Sequence, residues 1–461
     1  MSTSASRPSQ RNWEADFYKN GYPQEVIVID DTPTPPPPQH EPVVQYALPP
    51  AASTRSKRAR KDQAEQETAS KVYNTAKKRK KEKSTILFQG AVHPINSLRP
   101  APAPTSVIQP PFDDKDGHYI IKPNESLTPR CIYLTMANHK MMRLLGQGTF
   151  GKVVECYDRV KRTFCAIKII RAIPKYRDAS KIEIRVLNTL KENDPLNLNK
   201  CIHLLEWFDY RNHICMVFEL LGQSVFDFLK SNEFRPFPPY HIQQFAKQLL
   251  TSVAFIHDLK LIHTDLKPEN ILLSLRNLET VLESTDIRLI DFGSATFEQD
   301  YHSSVVSTRH YRAPEIILGV GWSYPCDIWS IGCILVEFLT GDALFQTHDN
   351  LEHLAMMEVV LGKLPFRLIR IASREAQKYF KDGRLKYPAH DTTKQSRKYV
   401  RALKPLEEII SPSTTLTRNF LDLVSKMLLY DPNERITARE ALRHPFFHID
   451  FDEYGRFSEE N

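Results

Sequence analysis

The sequence predicts an α+β fold, in which a small domain built around a β-sheet precedes a larger helical domain. Short runs of β-branched and other apolar residues come first, and longer segments with a helical apolar period follow them. Strands grouped before helices in this way favour two joined domains of different class. The strand-like runs are 153–156, 165–170 and 214–218, and the clearest helical segments are 240–259 and 330–339.

The N-terminal quarter of the chain has a different composition. Sixteen of the 32 prolines lie in the first 111 residues, which contain no cysteine. A stretch of this kind has too little apolar surface to bury for a core of its own. We therefore predict a disordered arm at 1–112 and a folded domain at 113–449 with a tail at 450–461. Within the folded domain, the sheet-rich part covers about 119–220 and the helical part about 223–449.

The net charge of +7 is concentrated in one short segment. Residues 55–83 hold twelve lysines and arginines against four acidic residues, which leaves the rest of the chain near −1. The folded part is therefore not predicted to be a basic nucleic-acid-binding domain. No apolar run is long enough to predict a membrane span or a secretory signal. The seven cysteines, an odd number without C-x-x-C spacing, favour reduced thiols over disulfides or a zinc site.

The first motif is glycine-rich, Gly146-Gln-Gly148-Thr-Phe-Gly151, and a strand-like run continues from Val153. Glycines let the backbone approach phosphate oxygens because no Cβ stands in the way. The pattern also opens dinucleotide-binding folds and simple glycine hairpins, but no helix begins here, which disfavours the first of these. Alone, the motif is a weak indication of a phosphate-binding loop.

Lys168 follows Gly151 by seventeen residues, near the end of the next strand-like run. After a glycine hairpin, a lysine at this place can reach the α- and β-phosphates of a nucleotide, although such lysines are more often surface charges. Glu183, in a helical segment, is the predicted ion-pair partner of Lys168 and is favoured over Glu192 and Glu206. A plain surface glutamate is the alternative.

The most specific segment is His263-Thr-Asp265-Leu-Lys267-Pro-Glu-Asn270. Asp265 is predicted to orient an attacking hydroxyl and accept its proton, and Lys267 to offset charge on a transferring phosphoryl group. Asn270 is predicted to hold a magnesium ion. Phosphoryl transfer depends mainly on positioning and charge neutralisation, so it needs a carboxylate, a cation and a neutral metal ligand together.

Asp291-Phe-Gly293 ends another strand-like run and supplies a second candidate metal ligand. Magnesium favours few carboxylates together with phosphate oxygens, so Asp291 would bind phosphates through the ion. A plain turn is the non-functional alternative for 291–293, and a chance polar turn is the alternative for 263–270. Further along, Glu315 and Arg435 are candidates for an ion pair that stabilises the fold.

In this order the motifs resemble the signature set of the protein kinases. The segment Glu352-His-Leu-Ala-Met-Met-Glu358 further resembles the motif that names the LAMMER, or Cdc-like, dual-specificity kinases of the CMGC group. The resemblance covers about 113–449 and implies a bilobal eukaryotic protein kinase fold that uses ATP and Mg²⁺. It also implies autophosphorylation on Ser, Thr and Tyr, and phosphorylation of Ser/Thr in basic, Arg/Ser-rich proteins, notably splicing factors.

The same resemblance implies a pocket for the adenine ring. Phe218 would be the gatekeeper, and the hinge at Glu219 and Leu221 would hydrogen-bond the base. From its residue type alone, Phe218 is simply a core aromatic at a strand end. The apolar period of 352–358 likewise indicates core packing. The residues that would enclose the base are Leu145 and Val153 above it, Ala166 beneath it and Leu273 opposite.

Two departures from the family pattern bear on function. Thr264 stands where an arginine usually precedes the catalytic aspartate, which predicts activity without a phosphate on the activation loop. Residues 132–139 look like about eight added residues before the first strand. A misjudged splice junction and a lineage-specific extension are the two interpretations of that insertion.

The arm carries two short motifs. Lys57-Arg-Ala-Arg-Lys61 and Lys77-Lys-Arg-Lys-Lys81 resemble a two-part nuclear import signal, which predicts an import receptor as partner of 55–83 and a location in the nucleus as well as the cytoplasm. A phosphate-binding patch or a solvated charge run are the alternatives. Residues 26–31 resemble a SUMO-interacting strand, with chance composition as the alternative.

Two other functions are compatible with this fold, a pseudokinase scaffold and small-molecule phosphotransfer. A pseudokinase scaffold commonly lacks at least one of the catalytic residues, whereas all five candidates occur here. Small-molecule phosphotransfer on the same fold is disfavoured because 309–315 resembles a peptide-docking segment. The five residues are Lys168, Glu183, Asp265, Asn270 and Asp291.

Overall fold

The computed structural model describes residues 112–122, 127, 139–274, 282, 284–452 and 455–457. The arm before Phe112, with both of its motifs, lies outside these residues. So do residues 132–138 of the suspected insertion, and only its last residue, His139, is described as the start of a strand.

The N-terminal part is a five-stranded antiparallel sheet in the order β1-β2-β3-β5-β4. Side chains alternate between the two faces of a strand. On β3 this alternation buries Cys165, Ile167 and Ile169 in an outer apolar cluster and directs Ala166 and Lys168 to the opposite face. The strands are β1 (His139–Gln147), β2 (Gly151–Asp158), β3 (Thr163–Ile170), β4 (Leu204–Tyr210) and β5 (His213–Glu219).

One long helix, α1 (Pro174–Asn193), connects β3 to β4. Proline suits its first turn because the missing N–H would have no partner there. The buried face repeats at helical spacing and includes Glu183 among apolar neighbours such as Ile184 and Leu187. Apolar packing thus holds α1 in place, and Glu183 is the buried carboxylate on its packed face.

The C-terminal part is mainly helical. Its central helix α5 is buried over most of its circumference, including Trp329 and Phe338, as is typical of a helix inside a core. The predicted segment 330–339 falls within α5, and 240–259 matches α3 except for its last residue, which caps that helix. The helices are α2 (Val225–Ser231), α3 (Pro239–Asp258), α4 (Pro314–Leu318), α5 (Pro325–Thr340), α6 (Asn350–Leu361), α7 (Phe366–Ile371), α8 (Lys394–Ala402), α9 (Leu406–Ile409), α10 (Thr415–Met427) and α11 (Ala438–Ala441).

Three two-stranded ladders complete the C-terminal part, and two of them shape the loops beside the sheet. The β7–β8 hairpin pairs Ile271 with Leu289. The strands are β6 (Leu261–Ile262), β7 (Ile271–Leu273), β8 (Ile287–Leu289), β9 (Thr296–Phe297), β10 (Phe380–Lys381) and β11 (Arg384–Leu385), with β6 paired to β9 and β10 to β11.

Together, the sheet, α1 and the helical part agree with the predicted α+β, two-part kinase architecture. Among the described residues, no helix combines the length and the apolar character that crossing a bilayer requires. The six cysteines in this part of the chain are buried thiols, none in a disulfide.

Candidate active site

Lys168 lies at the centre of a buried charge cluster. Its Nζ is 2.7 Å from Oε1 of Glu183 on α1 and 3.0 Å from Oδ1 of Asp291. The predicted ion pair between Lys168 and Glu183 is therefore present. Of the two less favoured candidates, Glu192 lies near the end of α1 and Glu206 lies on β4. One ammonium thus ties the sheet, the helix and the loop after β8 together.

The charges in this cluster shift one another's pKa values. The nearby ammonium of Lys168 lowers the pKa of Asp291 to about 2, against the opposing effect of burial. Burial alone would lower the pKa of Lys168, but the two carboxylates outweigh it and raise that pKa. Lys168 and Asp291 are therefore both charged at neutral pH, the state in which they can bind phosphate and metal.

Asp265 lies on the loop between β6 and β7 with hydrogen bonds to both carboxylate oxygens. Lys267 Nζ lies 2.8 Å from Oδ2, and the Thr308 hydroxyl and backbone N–H donate to Oδ1 at 2.6 and 2.9 Å. Burial would raise the pKa of Asp265, but Lys267 and the hydrogen bond from Thr308 reverse that effect and lower it. The carboxylate is therefore ionised and able to accept a hydrogen bond from a substrate hydroxyl.

Asn270 and Asp291, the two candidate metal ligands, are brought together by the β7–β8 hairpin. The backbone N–H of Ile290 donates to the backbone oxygen of Asn270 at 2.9 Å, which places the residue before Asp291 against Asn270. The side-chain amide of Asn270 donates its N–H to the backbone oxygen of Asp265 at 2.9 Å. The remaining amide oxygen and the partly exposed Asp291 carboxylate form a donor set of oxygen atoms, which suits a hard divalent cation.

A buried carboxylate that the sequence analysis missed fixes the catalytic loop. Asp327, at the start of α5, accepts the backbone N–H groups of His263 and Thr264 at 2.8 and 2.9 Å. His257 lies 3.0 Å from the same side chain. The available signal was an acid inside an otherwise apolar helical run, since such a group is rarely buried without partners.

Thr264 holds an unusual backbone conformation next to Asp265. Its φ of 68° lies in the left-handed region, which is costly for a β-branched residue. Its hydroxyl donates to the backbone oxygen of Ser294 at 2.9 Å. The threonine that replaces the usual arginine therefore links the catalytic loop to the segment after Asp291 without any charge.

The glycine-rich loop joins β1 to β2. A Cβ on Gly151 would lie 2.1 Å from the backbone oxygen of Ile169, so packing against β3 requires glycine there. A Cβ on Gly146 or Gly148 would meet no atom within 4 Å. Those two positions leave open space beside the loop, which fits the close approach of backbone N–H groups to phosphates.

The predicted adenine-binding residues lie on the strands and hinge next to this loop. Ala166 pairs with Phe218 across β3 and β5, and Val153 pairs with Lys168 across β2 and β3. Phe218 is buried, whereas Leu145 is 40% exposed. At the hinge, Gly222 N–H donates to Leu273 O at 2.9 Å, which sets Leu273 beside Glu219 and Leu221. These groups fit a flat apolar base bordered by backbone polar groups.

The segment after Thr308 is held at several points. Arg312 donates to the backbone oxygens of Val306 and Ser307, and the Tyr311 hydroxyl donates to Glu337 Oε2 at 2.7 Å. The predicted pair of Glu315 and Arg435 is confirmed as two hydrogen bonds of 2.7 and 2.9 Å between buried side chains.

The segment 352–358 lies on α6 and is almost entirely buried, from Glu352 through Met357. The packing role indicated by its apolar period is confirmed. Two polar contacts fix its ends, since Thr347 Oγ1 donates to Glu352 and Leu364 N–H donates to Glu358. The segment therefore contributes to the packing of the helical core.

Comparisons with known proteins agree with this geometry. The family described as "Protein kinase domain" matches residues 139–447. Dual specificity protein kinase lkh1 of Schizosaccharomyces pombe is 57% identical over 73% of this chain and 49% of its own length. Serine/threonine-protein kinase AFC3 of Arabidopsis thaliana is 51% identical over 74% of this chain and 88% of its own length.

Human and structural relatives extend the same result. Dual specificity protein kinase CLK2 of Homo sapiens is 47% identical over 73% of this chain and 67% of its own length. A solved kinase domain superposes with a TM-score of 0.65 at 34% identity, covering 72% of this chain and all of that domain. The family match begins at residue 139, after the arm, and the chain spans about half the length of the fission yeast relative.

Proposed function

Because this chain belongs to the LAMMER, or CLK-type, dual-specificity protein kinases, we propose that it phosphorylates serine and threonine in basic, Arg/Ser-rich proteins such as splicing factors. Autophosphorylation on serine, threonine and tyrosine belongs to the same proposal. As a protein kinase domain, it uses ATP and a divalent cation.

The observation that carries the proposal is the arrangement around Asp265. An ionised carboxylate, fixed by Thr308 and Lys267, lies on the loop that also carries Asn270, and Asn270 in turn contacts the residue before Asp291. ATP supplies the phosphoryl group that is transferred. Asp265 orients the hydroxyl and accepts its proton, and Lys267 offsets charge on the phosphoryl oxygens.

Charge near the site supports a basic substrate. Residues 283–362, which include the segment after Asp291 and the peptide-docking stretch, hold twelve acidic residues against three arginines. Four of these acids are buried, but Glu298, Asp342 and Asp349 are exposed. Glu269 is exposed on the catalytic loop between Lys267 and Asn270. Residues 363–404 instead carry thirteen lysines and arginines against three acids, so the folded domain has a second basic segment beside the predicted one in the arm. An arginine-rich chain would accordingly be attracted to the exposed carboxylates, among them Glu269 on the catalytic loop.

We propose Mg²⁺ as the cation, bound by Asn270 and Asp291. An amide oxygen and one carboxylate, completed by phosphate oxygens, match the ligands that Mg²⁺ prefers. The basic runs at 57–61 and 77–81 support nuclear import, and residues 26–31 support a SUMO-type partner, in both cases on sequence grounds alone.

A peptide library tests the proposal. The full chain is incubated with ATP, Mg²⁺ and serine peptides flanked by arginine or by glutamine, and initial rates of phosphate transfer are measured. We expect the arginine peptides to be preferred and Asp265→Asn to lower kcat by roughly 100-fold or more, since general-base contributions have this size.

The Glu269→Gln variant separates substrate choice from chemistry. It should reduce the preference for arginine peptides about threefold to tenfold, more at low salt, while the rate on glutamine peptides stays near wild type. Phosphate transfer without any arginine preference would contradict the substrate class and leave the kinase activity standing. A lack of transfer by the wild type to every peptide would favour the pseudokinase alternative.

A further inference from the structure

Residues 112–122, here called the N-terminal strap, precede the matched kinase domain and lie across its sheet. The strap folds back on itself, since Asp113 and Tyr119 form a β-bridge and Ile120 N–H donates to Phe112 O at 2.7 Å. Gly117 makes the turn with a φ of +77°. The side chain of Asp114 closes the turn by accepting the N–H groups of Asp116 and His118.

The first anchor of the strap lies beside the glycine-rich loop. Lys152 follows Gly151 directly, and its Nζ donates to Asp114 Oδ2 at 3.2 Å and to Tyr119 O at 3.1 Å. The Lys152 side chain is only 12% exposed, so water competes weakly for these bonds. The end of the phosphate-binding loop is therefore tied to the strap.

The second anchor lies at the start of α1. Ala172 N–H donates to Gly117 O at 2.9 Å, and Arg171 donates to Asp116 O and also to Thr149 O within the glycine-rich loop at 3.1 Å. A Cβ on Gly117 would lie 3.1 Å from Ile173, the N-cap residue of α1. Arg171 thus joins the strap, the loop and the approach to the helix that carries Glu183.

The third anchor lies at the start of β5. His213 is fully buried, with Nδ1 2.6 Å from Ile170 O and Nε2 2.8 Å from Asp113 Oδ1. The Tyr119 ring packs edge-on against the His213 ring at 5.4 Å. This anchor fixes the strap to the adjoining ends of β3 and β5.

We propose that the strap is a positioning element for ATP, which holds the glycine-rich loop and the start of α1 in the geometry that binds phosphates. Two of its three anchors lie next to the glycine-rich loop and to the start of α1, which carries Glu183, and the third fixes it to the sheet. A loop that must order itself on each binding event binds with lower affinity, because the ordering entropy is then lost at that moment. The strap removes part of this cost in advance.

Two full-length variants test the strap, each removing one partner of the contact between Asp114 and Lys152. Asp114→Ala removes the acceptor for Lys152 together with the turn of the strap, and Lys152→Met removes the donor while keeping the aliphatic stem. We expect each to raise the KM for ATP roughly fivefold, with the KM for peptide within twofold of wild type. Amide hydrogen exchange at 146–152 in the ATP-free protein should become faster in both variants.

Glu155→Gln is the matched control. It breaks the 2.7 Å pair of Arg143 and Glu155 on the same sheet, away from the strap, and should leave the KM for ATP and the exchange rates unchanged. Variants that lose thermal stability but keep the wild-type KM for ATP and the wild-type exchange rates would overturn the proposal. So would a change confined to Lys152→Met, because the lysine would then act without the strap.

Discussion

At the scale of single residues, the site depends on carboxylates whose surroundings differ. Asp265 is ionised because Lys267 and Thr308 compensate for its burial. Glu337, which accepts the Tyr311 hydroxyl, has no cation of this kind beside it, and burial raises its pKa to about 7. Glu269 and Asp342 add to that rise, and the hydrogen bond from Tyr311 opposes it. The two carboxylates therefore differ in protonation at neutral pH, where Asp265 is ionised and Glu337 is only partly ionised.

This difference predicts a pH dependence of stability. The pKa of Glu337 in the folded protein lies above its ordinary value of 4.5. The protonated Glu337 side chain therefore stabilises the fold fully below pH 4.5, and this stabilisation is lost as the pH rises through about 7. Glu337→Gln keeps an acceptor for Tyr311 without the charge. We therefore compare the free energies of unfolding of the variant and the wild type. The difference, variant minus wild type, should increase by about 2–3 kcal/mol between pH 5 and pH 8.

Urea unfolding at several pH values measures this difference. Parallel pH profiles for wild type and Glu337→Gln would contradict the prediction.

At the scale of elements, the segment from Asp291 to Glu315 has ion pairs at both ends and is also held by hydrogen bonds from uncharged hydroxyl groups. Thr264 donates to Ser294, Thr308 donates to Asp265, and Ser330 Oγ donates to Tyr311 O at 2.9 Å. Thr264 stands where an arginine usually binds a phosphate on the activation segment, and it offers an uncharged hydroxyl instead. The segment therefore has its ordering contacts without a phosphate group.

The protein should accordingly be active when its activation segment is unphosphorylated. After complete phosphatase treatment, confirmed by mass spectrometry of 291–315, kcat/KM for a peptide should stay within about threefold of the untreated value, since that factor is below the effect of one lost hydrogen bond. Thr264→Val removes the hydroxyl and should lower kcat/KM whether or not phosphate is present. An enzyme that phosphatase inactivates would show that the neutral contacts are insufficient.

At the scale of the whole molecule, contacts between distant parts of the chain hold the helical part around the site. Glu315 and Arg435 are separated by 120 residues, yet their side chains are 1% and 0% exposed. Arg435 also donates to the backbone oxygens of Leu429 and Pro325. Breaking one partner of a pair of this kind leaves a buried charge without compensation.

Arg435→Met should therefore lower the free energy of unfolding by about 3–5 kcal/mol. Arg439→Met is the control, because it removes an exposed pair with Asp258, and it should lower the free energy of unfolding far less. Chemical denaturation of both variants gives the comparison. Equal losses would show that burial of the first pair has no special effect.

The sequence by itself determined the order of the motifs, the α+β class and the identity of the charged groups. Lys168, Glu183, Asp265, Asn270 and Asp291 each follow from a local pattern of residue types, because a glycine loop, a strand end or a polar loop can be recognised over a few positions. The family assignment rests on the same local segments. Their roles in catalysis remain predictions until the variants are measured.

Only the tertiary structure decided which groups share a partner. Asp327 and Thr308 reach the catalytic loop from 62 and 43 positions away from Asp265, and no local pattern encodes a distance of that kind. The strap was unremarkable as a sequence, since its anchors are backbone oxygens and single side chains on three separate elements. Contacts between residues far apart in the chain form only when the core fixes the elements relative to one another, and packing of that core depends on the whole set of apolar side chains.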